Sequence, residues 1–108
     1  MRRVMARAGD RHKPLLITEI GVASAGIYPS AFDKGRQGQA SYLWRALRLL
    51  VAKRHEWRLG GVDWFTWRDS AAPDPHCVFC EFGGLFDAGN APKPAWWAFK
   101  RAIAAVVR

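Results

Sequence analysis

The sequence predicts an α/β protein whose sheet contains parallel strands. An almost continuous apolar run, Leu15–Ile20, has the pattern of a strand that is covered on both faces. A helical stretch follows, then a second run rich in β-branched and aromatic residues over 61–67, and then another helix. This order of elements is that of a right-handed parallel crossover. Because two strands alone make a poor sheet, the pattern also predicts that the sheet is incomplete.

The chain starts on a short basic segment, MRRVMARAGD. Val4 and Met5 fall on one side of a helix and the arginines on the other, and Gly9 is placed to end it. This pattern is typical of the last turns of a helix, so we expect the chain to be truncated at its amino terminus. The segment lacks the apolar centre of a secretory signal, and no signal peptide is predicted in this chain.

Two amphipathic helices are predicted after the strands. The first covers 39–57 and carries its basic side chains largely off an apolar stripe formed by Ala40, Leu43, Leu47, Leu50 and Val51. The second begins near Pro94, since proline suits the first position of a helix. Its apolar stripe contains Phe99, Ala102, Ile103 and Val106.

Composition limits the classes of partner. The formal net charge of the 108-residue chain is +8, but its basic residues are spread through the predicted helices without forming a block. This distribution is typical of solvated helix faces, and we predict no nucleic-acid partner. No apolar run approaches the roughly 18 residues that a membrane span needs, and no membrane association is predicted. The six tryptophans favour a surface that binds flat ligands, or aromatic packing in a barrel or an interface.

Polar residues stand where each predicted strand ends. The first strand ends with Glu19, and the second runs into Trp67, Arg68 and Asp69. Ligands of parallel α/β folds bind beyond the carboxyl ends of the strands, so these residues are candidates for a shared site.

Alternation along the strands suggests how the candidate residues are oriented. It places Glu19 on the face of Leu15 and Ile17, and Trp67 on the face of Asp63. If those two faces coincide, a carboxylate meets an indole, which is an arrangement suited to sugar chemistry. Each residue also has a structural alternative, with Glu19 pairing an arginine or capping a loop and Trp67 filling the core.

Three segments carry a family resemblance. LLITEIG, GVDWFTWRDS and GLFDAGNAPKPAWWAF, in this order and spacing, resemble the last part of clan A retaining glycoside hydrolases, such as the cellulase-like and β-xylosidase-like families. Those enzymes have a (β/α)8 TIM barrel. The resemblance covers nearly the whole chain and implies that residues 1–108 are the C-terminal portion of such a barrel, incomplete as a domain. They would comprise the end of helix 6, strand 7, helix 7, strand 8 and helix 8.

The resemblance also implies roles for individual residues. Glu19 matches the catalytic nucleophile, and Trp67 matches the aromatic residue that lines the sugar subsite, with Arg68 and Asp69 beside it. The peptide bond between Trp67 and Arg68 is then expected to be cis. The implied substrate is a carbohydrate, with no cofactor and no metal, and the complete enzyme is expected to be extracellular.

The second catalytic carboxyl group is the main departure from the family pattern. The family carries its acid/base glutamate on strand 4, which residues 1–108 do not include. Glu81 follows the second strand, but nothing in the sequence fixes its position as a substitute acid. We therefore expect this chain alone to be inactive. Its expected partners are the missing N-terminal barrel portion, or further copies of itself joined through open sheet edges.

A cysteine pair lies in the loop after the second strand, in the segment HCVFC. Cys77 and Cys80 can form a local disulfide, remain free thiols, act as a redox pair, or bind zinc with His76 and a fourth ligand from elsewhere. The position of the pair in the middle of a loop and the lack of a fourth zinc ligand favour the disulfide, which would suit a secreted enzyme.

Overall fold

A computed structural model describes residues 1–26, 31–72, 77 and 81–106 of the chain. It confirms the predicted mixed α/β organisation with two parallel strands. The helices and strands are, in chain order, α1 (Arg2–Arg7), β1 (Leu15–Ile20), α2 (Gly35–Trp57), β2 (Leu59–Trp64) and α3 (Pro94–Val106). No helix within the described ranges is both long and apolar enough to cross a membrane.

The two strands run side by side in the same direction, with Ile17 opposite Val62 and Ile20 opposite Trp64. The bounds of β1 match the prediction, whereas β2 ends at Trp64 instead of residue 67. The amide of Phe65 still donates to the carbonyl of Ile20 in β1 over 2.9 Å, but from Thr66 onward the backbone bonds elsewhere, with the amide of Thr66 donating to the carbonyl of Gly83 over 3.4 Å. The predicted cis bond after Trp67 is also wrong, since the cis peptide joins Phe65 to Thr66.

Helices α2 and α3 pack together over one face of the sheet. The residues that form the buried core of this layer are Leu43, Leu47, Leu50, Leu85, Ala95, Ala98 and Ala102. The predicted stripe of α2 is confirmed at its three leucines. In α3 the prediction is wrong for Ile103 and Val106, which are 44% and 43% exposed. Alanines face α2 instead, and small side chains at a contact allow two helices to approach closely.

Only one face of the sheet is covered by these helices. Ile17, Val62 and Trp64 pack against the core, whereas Leu16 is 62% exposed on the other side. The prediction that β1 is covered on both faces is therefore wrong for the described chain. We call the helix-free side of β1 and β2, which carries Leu16, Glu19 and Asp63, the open face.

Helix α1 is a short exposed element that lies against the start of β1. It contains no buried residue, and the chain turns after it at Gly9, whose φ of 83° is in the left-handed region that glycine adopts freely. The guanidinium of Arg2 donates to the carbonyl of Lys13 over 2.8 Å and also to that of Arg11. These bonds connect the first helix to the entry of β1.

Candidate active site

Two carboxylates lie on the open face near the carboxyl ends of the strands. The register of β1 is irregular between Ile17 and Ile20, and both isoleucines pack towards the helices. Thr18 and Glu19, between them, are both exposed. The prediction that Glu19 shares a face with Ile17 is therefore wrong, because the irregularity interrupts the alternation.

Asp63 is the neighbouring carboxylate on β2. Val62 and Trp64 on either side of it pack on the helices, and Asp63 is exposed between them. The register places this position beside residues 18 and 19 of β1. Sequence reasoning did not select Asp63 as a site residue, although its alternation with Val62 and Trp64 is a visible signal.

Trp67 lies just beyond β2, at the same end of the sheet as Glu19. Its side chain is 60% exposed, so the indole lies on the surface and does not fill the core. Phe86 and Trp96 contact the ring, with centroids 4.9 and 5.5 Å away and interplanar angles of 35° and 75°. A supported but exposed indole has a preset orientation and a ring surface available to a ligand.

Arg68 and Asp69 continue from Trp67 and have different environments. Arg68 is exposed, and its Nη1 donates to Asn90 Oδ1 over 3.2 Å. Asp69 is buried, and its Oδ1 accepts a 2.8 Å hydrogen bond from the amide of Gly84. The predicted contacts of Arg68 and Asp69 with sugar stay predictions. Because Asp69 is buried, a direct contact with sugar is harder to form for Asp69 than for Arg68.

A buried lysine holds Asp69 in place. Lys93, directly before α3, is fully buried, and its Nζ lies 2.8 and 2.9 Å from the two oxygens of Asp69. The same ammonium donates to Ser24 Oγ over 2.8 Å and to the carbonyl of Phe82 over 3.2 Å. Burial lowers the pKa of Lys93 from its usual 10.5, while Asp69 opposes this shift by favouring the charged form. The lysine thus joins the segments that follow β1 and β2.

Gln39 adds a second link beneath the same rim. The side chain is fully buried, and its Nε2 lies 3.1, 3.2 and 3.3 Å from the carbonyl oxygens of Val22, Phe82 and Gly84, which share its two N–H donors. Sequence reasoning missed both Gln39 and Lys93, because isolated polar residues in a helix or a Pro-Lys-Pro segment are normally exposed. The acceptors that surround them come from distant segments, and no local pattern indicates them.

Glu81 is also buried, with 2% of its surface exposed. Neither carboxylate oxygen has a hydrogen-bond partner within the described part of the chain. A general acid has to reach the leaving group of the substrate. A side chain as enclosed as that of Glu81 does not. The structure therefore gives no support to Glu81 as a substitute acid.

The cysteine segment lies largely outside the described residues. Cys77 is described and is disulfide-bonded, but Cys80 and His76 fall outside the described ranges, so their predicted pairing stays a prediction. Among the residues that the structure does describe, no group of three or more His, Cys, Asp or Glu side chains is arranged to hold a metal ion.

Comparison with known proteins shows similarity at the level of the fold. No family model matches the sequence, and no curated protein matches it. Among solved structures, a β-glucuronidase from Faecalibacterium prausnitzii matches 94% of this chain with a TM-score of 0.57 and 21% identity. Xylanase 10B from Thermotoga petrophila RKU-1, solved with xylobiose, matches 99% of the chain with a TM-score of 0.49 and 20% identity.

The matched regions are small parts of the neighbouring proteins. This chain spans 17% of the β-glucuronidase chain and 32% of the xylanase chain, both of which are TIM-barrel glycoside hydrolases. The arrangement of two parallel strands and their helices is thus similar in fold to a small part of the β-glucuronidase.

Proposed function

We propose that this chain supplies the nucleophile and part of the sugar subsite of a retaining glycoside hydrolase whose remaining barrel strands lie outside residues 1–108. The observation that carries the proposal is the position of Glu19. It is exposed on the open face, at the carboxyl end of a parallel strand pair, and the exposed Trp67 lies at the same end. The fold similarity to part of a β-glucuronidase supports a barrel context for this pair.

In the proposed reaction a carboxylate oxygen of Glu19 attacks the anomeric carbon, and the bond to the leaving-group oxygen breaks. Trp67 offers its ring to the C–H face of the sugar, while the Lys93–Asp69 pair fixes the segment that carries Trp67. Water then cleaves the glycosyl-enzyme with help from a second carboxyl group, which in retaining enzymes lies about 5–5.5 Å from the first. The family resemblance assigns that group to a strand outside this chain.

An activated substrate tests the role of Glu19 without the missing acid. The leaving group of a 2,4-dinitrophenyl glycoside departs without a proton, so Glu19 is expected to be glycosylated slowly and stoichiometrically by a matching member of a panel of such glycosides. Because no acid/base completes the cycle, the adduct should accumulate and unactivated aryl glycosides should not be turned over. Intact-mass measurement followed by peptide mapping would locate the adduct.

Asp63→Asn provides a matched control, since Asp63 is an exposed carboxylate on the same face. The adduct is expected to disappear in Glu19→Gln and to persist in Asp63→Asn. Labelling of Asp63, labelling that survives Glu19→Gln, or no labelling by any member of the panel would contradict the proposed role. Steady turnover of aryl glycosides that vanishes in Glu19→Gln would instead show that the chain is catalytically complete.

The open face favours a second candidate function, a non-catalytic barrel fragment that binds carbohydrate or assembles with another chain. An exposed Leu16 on an uncovered two-stranded sheet is apolar surface that association would bury. Light scattering during size-exclusion chromatography is expected to show self-association that weakens in Leu16→Thr. A monomer with cooperative unfolding would argue against any need for a partner.

A further inference from the structure

A groove on the outer side of the helical layer has a composition that the proposed hydrolase function does not use. It runs between α2 and α3 and encloses about 510 Å³. We call it the α2–α3 groove; its principal lining residues are Ala40, Trp44 and Arg45 on α2 and Trp97, Ala98 and Arg101 on α3. Its surface thus combines small apolar side chains, two indoles and two arginines.

The charge around this groove is strongly one-sided. Helices α2 and α3 together carry seven lysines and arginines, which are Arg36, Arg45, Arg48, Lys53, Arg54, Lys100 and Arg101. The two helices contain one carboxylate, Glu56, and this residue is paired with Lys53 over 2.6 Å near the end of α2. The α2–α3 groove itself is lined by no acidic residue. A surface of this kind attracts a negatively charged partner.

The arginines near the groove are held in place without being neutralised. The guanidinium carbons of Arg101 and Arg48 lie 4.4 and 5.5 Å from the ring centroid of Trp44. Neither arginine forms an ion pair with a carboxylate in the described part of the chain. A guanidinium stacked on an indole keeps its N–H groups at its edge, where they can donate two parallel hydrogen bonds to a carboxylate.

The indoles are less suited to stacking a nucleobase or a sugar. Trp44 carries guanidinium groups over its ring, and the ammonium of Lys100 lies 5.2 Å from the ring centroid of Trp97. The apolar part of the groove that remains is formed by the small side chains Ala40 and Ala98, both of which have little exposed surface of their own. This apolar floor fits an aliphatic side chain. Tryptophan and arginine, which flank it, are enriched among the residues that contribute most to the free energy of protein–protein binding.

We infer that the α2–α3 groove binds an acidic polypeptide segment, with an aliphatic side chain seated between Trp44 and Trp97 and flanking carboxylates paired with Arg45 and Arg101. This inference is independent of the proposed hydrolase role, because the groove lies on the helical layer and not on the open face.

A synthetic peptide in which glutamates alternate with leucines provides a direct test. Binding of this peptide to residues 1–108 is measured by the fluorescence anisotropy of a dye on the peptide. The affinity is expected to fall steeply as salt is added. Replacing the glutamates with glutamines, or the leucines with serines, should each lower the affinity at least about tenfold, because charged hydrogen bonds and apolar burial both contribute. Equal binding of either altered peptide would overturn the inference.

Variants of the chain locate the site. The double variant Arg45→Gln/Arg101→Gln is expected to lower the affinity at least about tenfold, since two charge-assisted contacts are lost. Arg54→Gln removes another exposed arginine of α2 that does not line the groove, and this variant should bind the peptide as the unmodified chain does. An equal loss with Arg54→Gln would indicate attraction to net charge alone and would contradict the inference. Tighter binding of oligothymidylate than of the peptide at the same salt concentration would assign the groove to nucleic acid instead.

Discussion

Replacing Gly84 with alanine is expected to lower the free energy of unfolding by about 3 kcal/mol or to prevent folding. A Cβ atom at this position would lie 2.5 Å from the carbonyl carbon of Arg68 and 2.6 Å from the carbonyl oxygen of Phe86. It would also collide with the backbone nitrogen of Asp69. All three contacts are with backbone, so no side-chain rotation relieves them. Urea unfolding followed by circular dichroism would measure the loss.

Gly89→Ala is a matched control for this change. A Cβ at Gly89 would have as its nearest neighbour Asp87 Oδ1 at 3.5 Å, an ordinary contact distance. The substitution is therefore expected to change the free energy of unfolding by less than about 0.5 kcal/mol. Similar losses in the two variants would show that the close packing at Gly84 is not what distinguishes that position.

Lys93→Met is expected to destabilise the chain by about 3–5 kcal/mol, because it leaves the buried carboxylate of Asp69 without its cation. Methionine can occupy much of the volume of the lysine stem, so the loss should arise mainly from charge and hydrogen bonding. The variant would also remove the donor to Ser24 and to the carbonyl of Phe82. Thermal and urea unfolding of Lys93→Met would measure the loss.

A double-mutant cycle separates the ion pair from general damage. In Lys93→Met/Asp69→Asn the amide oxygen can still accept the hydrogen bond from Gly84 while the unpaired charge is removed. We expect the double variant to be more stable than the sum of the single effects predicts. Lys53→Met serves as the surface comparison, since its pair with Glu56 is exposed to solvent and should contribute much less to stability than the buried pair. Simple additivity at Lys93 and Asp69 would contradict a coupled pair.

The local elements of the fold were largely predictable from sequence. The apolar run of β1 is bounded by Pro14 at one end and by a glycine-containing loop at the other, and its bounds were predicted correctly. The long apolar stripe of α2 likewise identified a helix and its buried leucines. Both signals are local and repetitive, so they can be recognised without knowledge of the neighbouring segments.

The errors occurred where distant segments decide the outcome. Residues 65–67 have the composition of a strand, but the backbone of Thr66 and Trp67 pairs with the segment near Gly83 and Leu85, so β2 ends earlier than predicted. The irregularity in β1 redirected Glu19 to the open face, and periodicity alone does not contain that shift. The burial of Lys93 depends on acceptors from Ser24, Asp69 and Phe82, which are separated from it by 69, 24 and 11 residues.

The bonds made by Lys93 have a consequence for how this region can be altered by design. The stretch between Ser70 and Glu81 is closed at its base by a 2.9 Å backbone hydrogen bond, and the ammonium secures the neighbouring residues on either side of that closure. Its length and sequence can therefore change while its two ends remain fixed. Grafting between these end points should leave the scaffold undisturbed, whereas grafts that include Asp69 would have to bring their own counterion for the lysine.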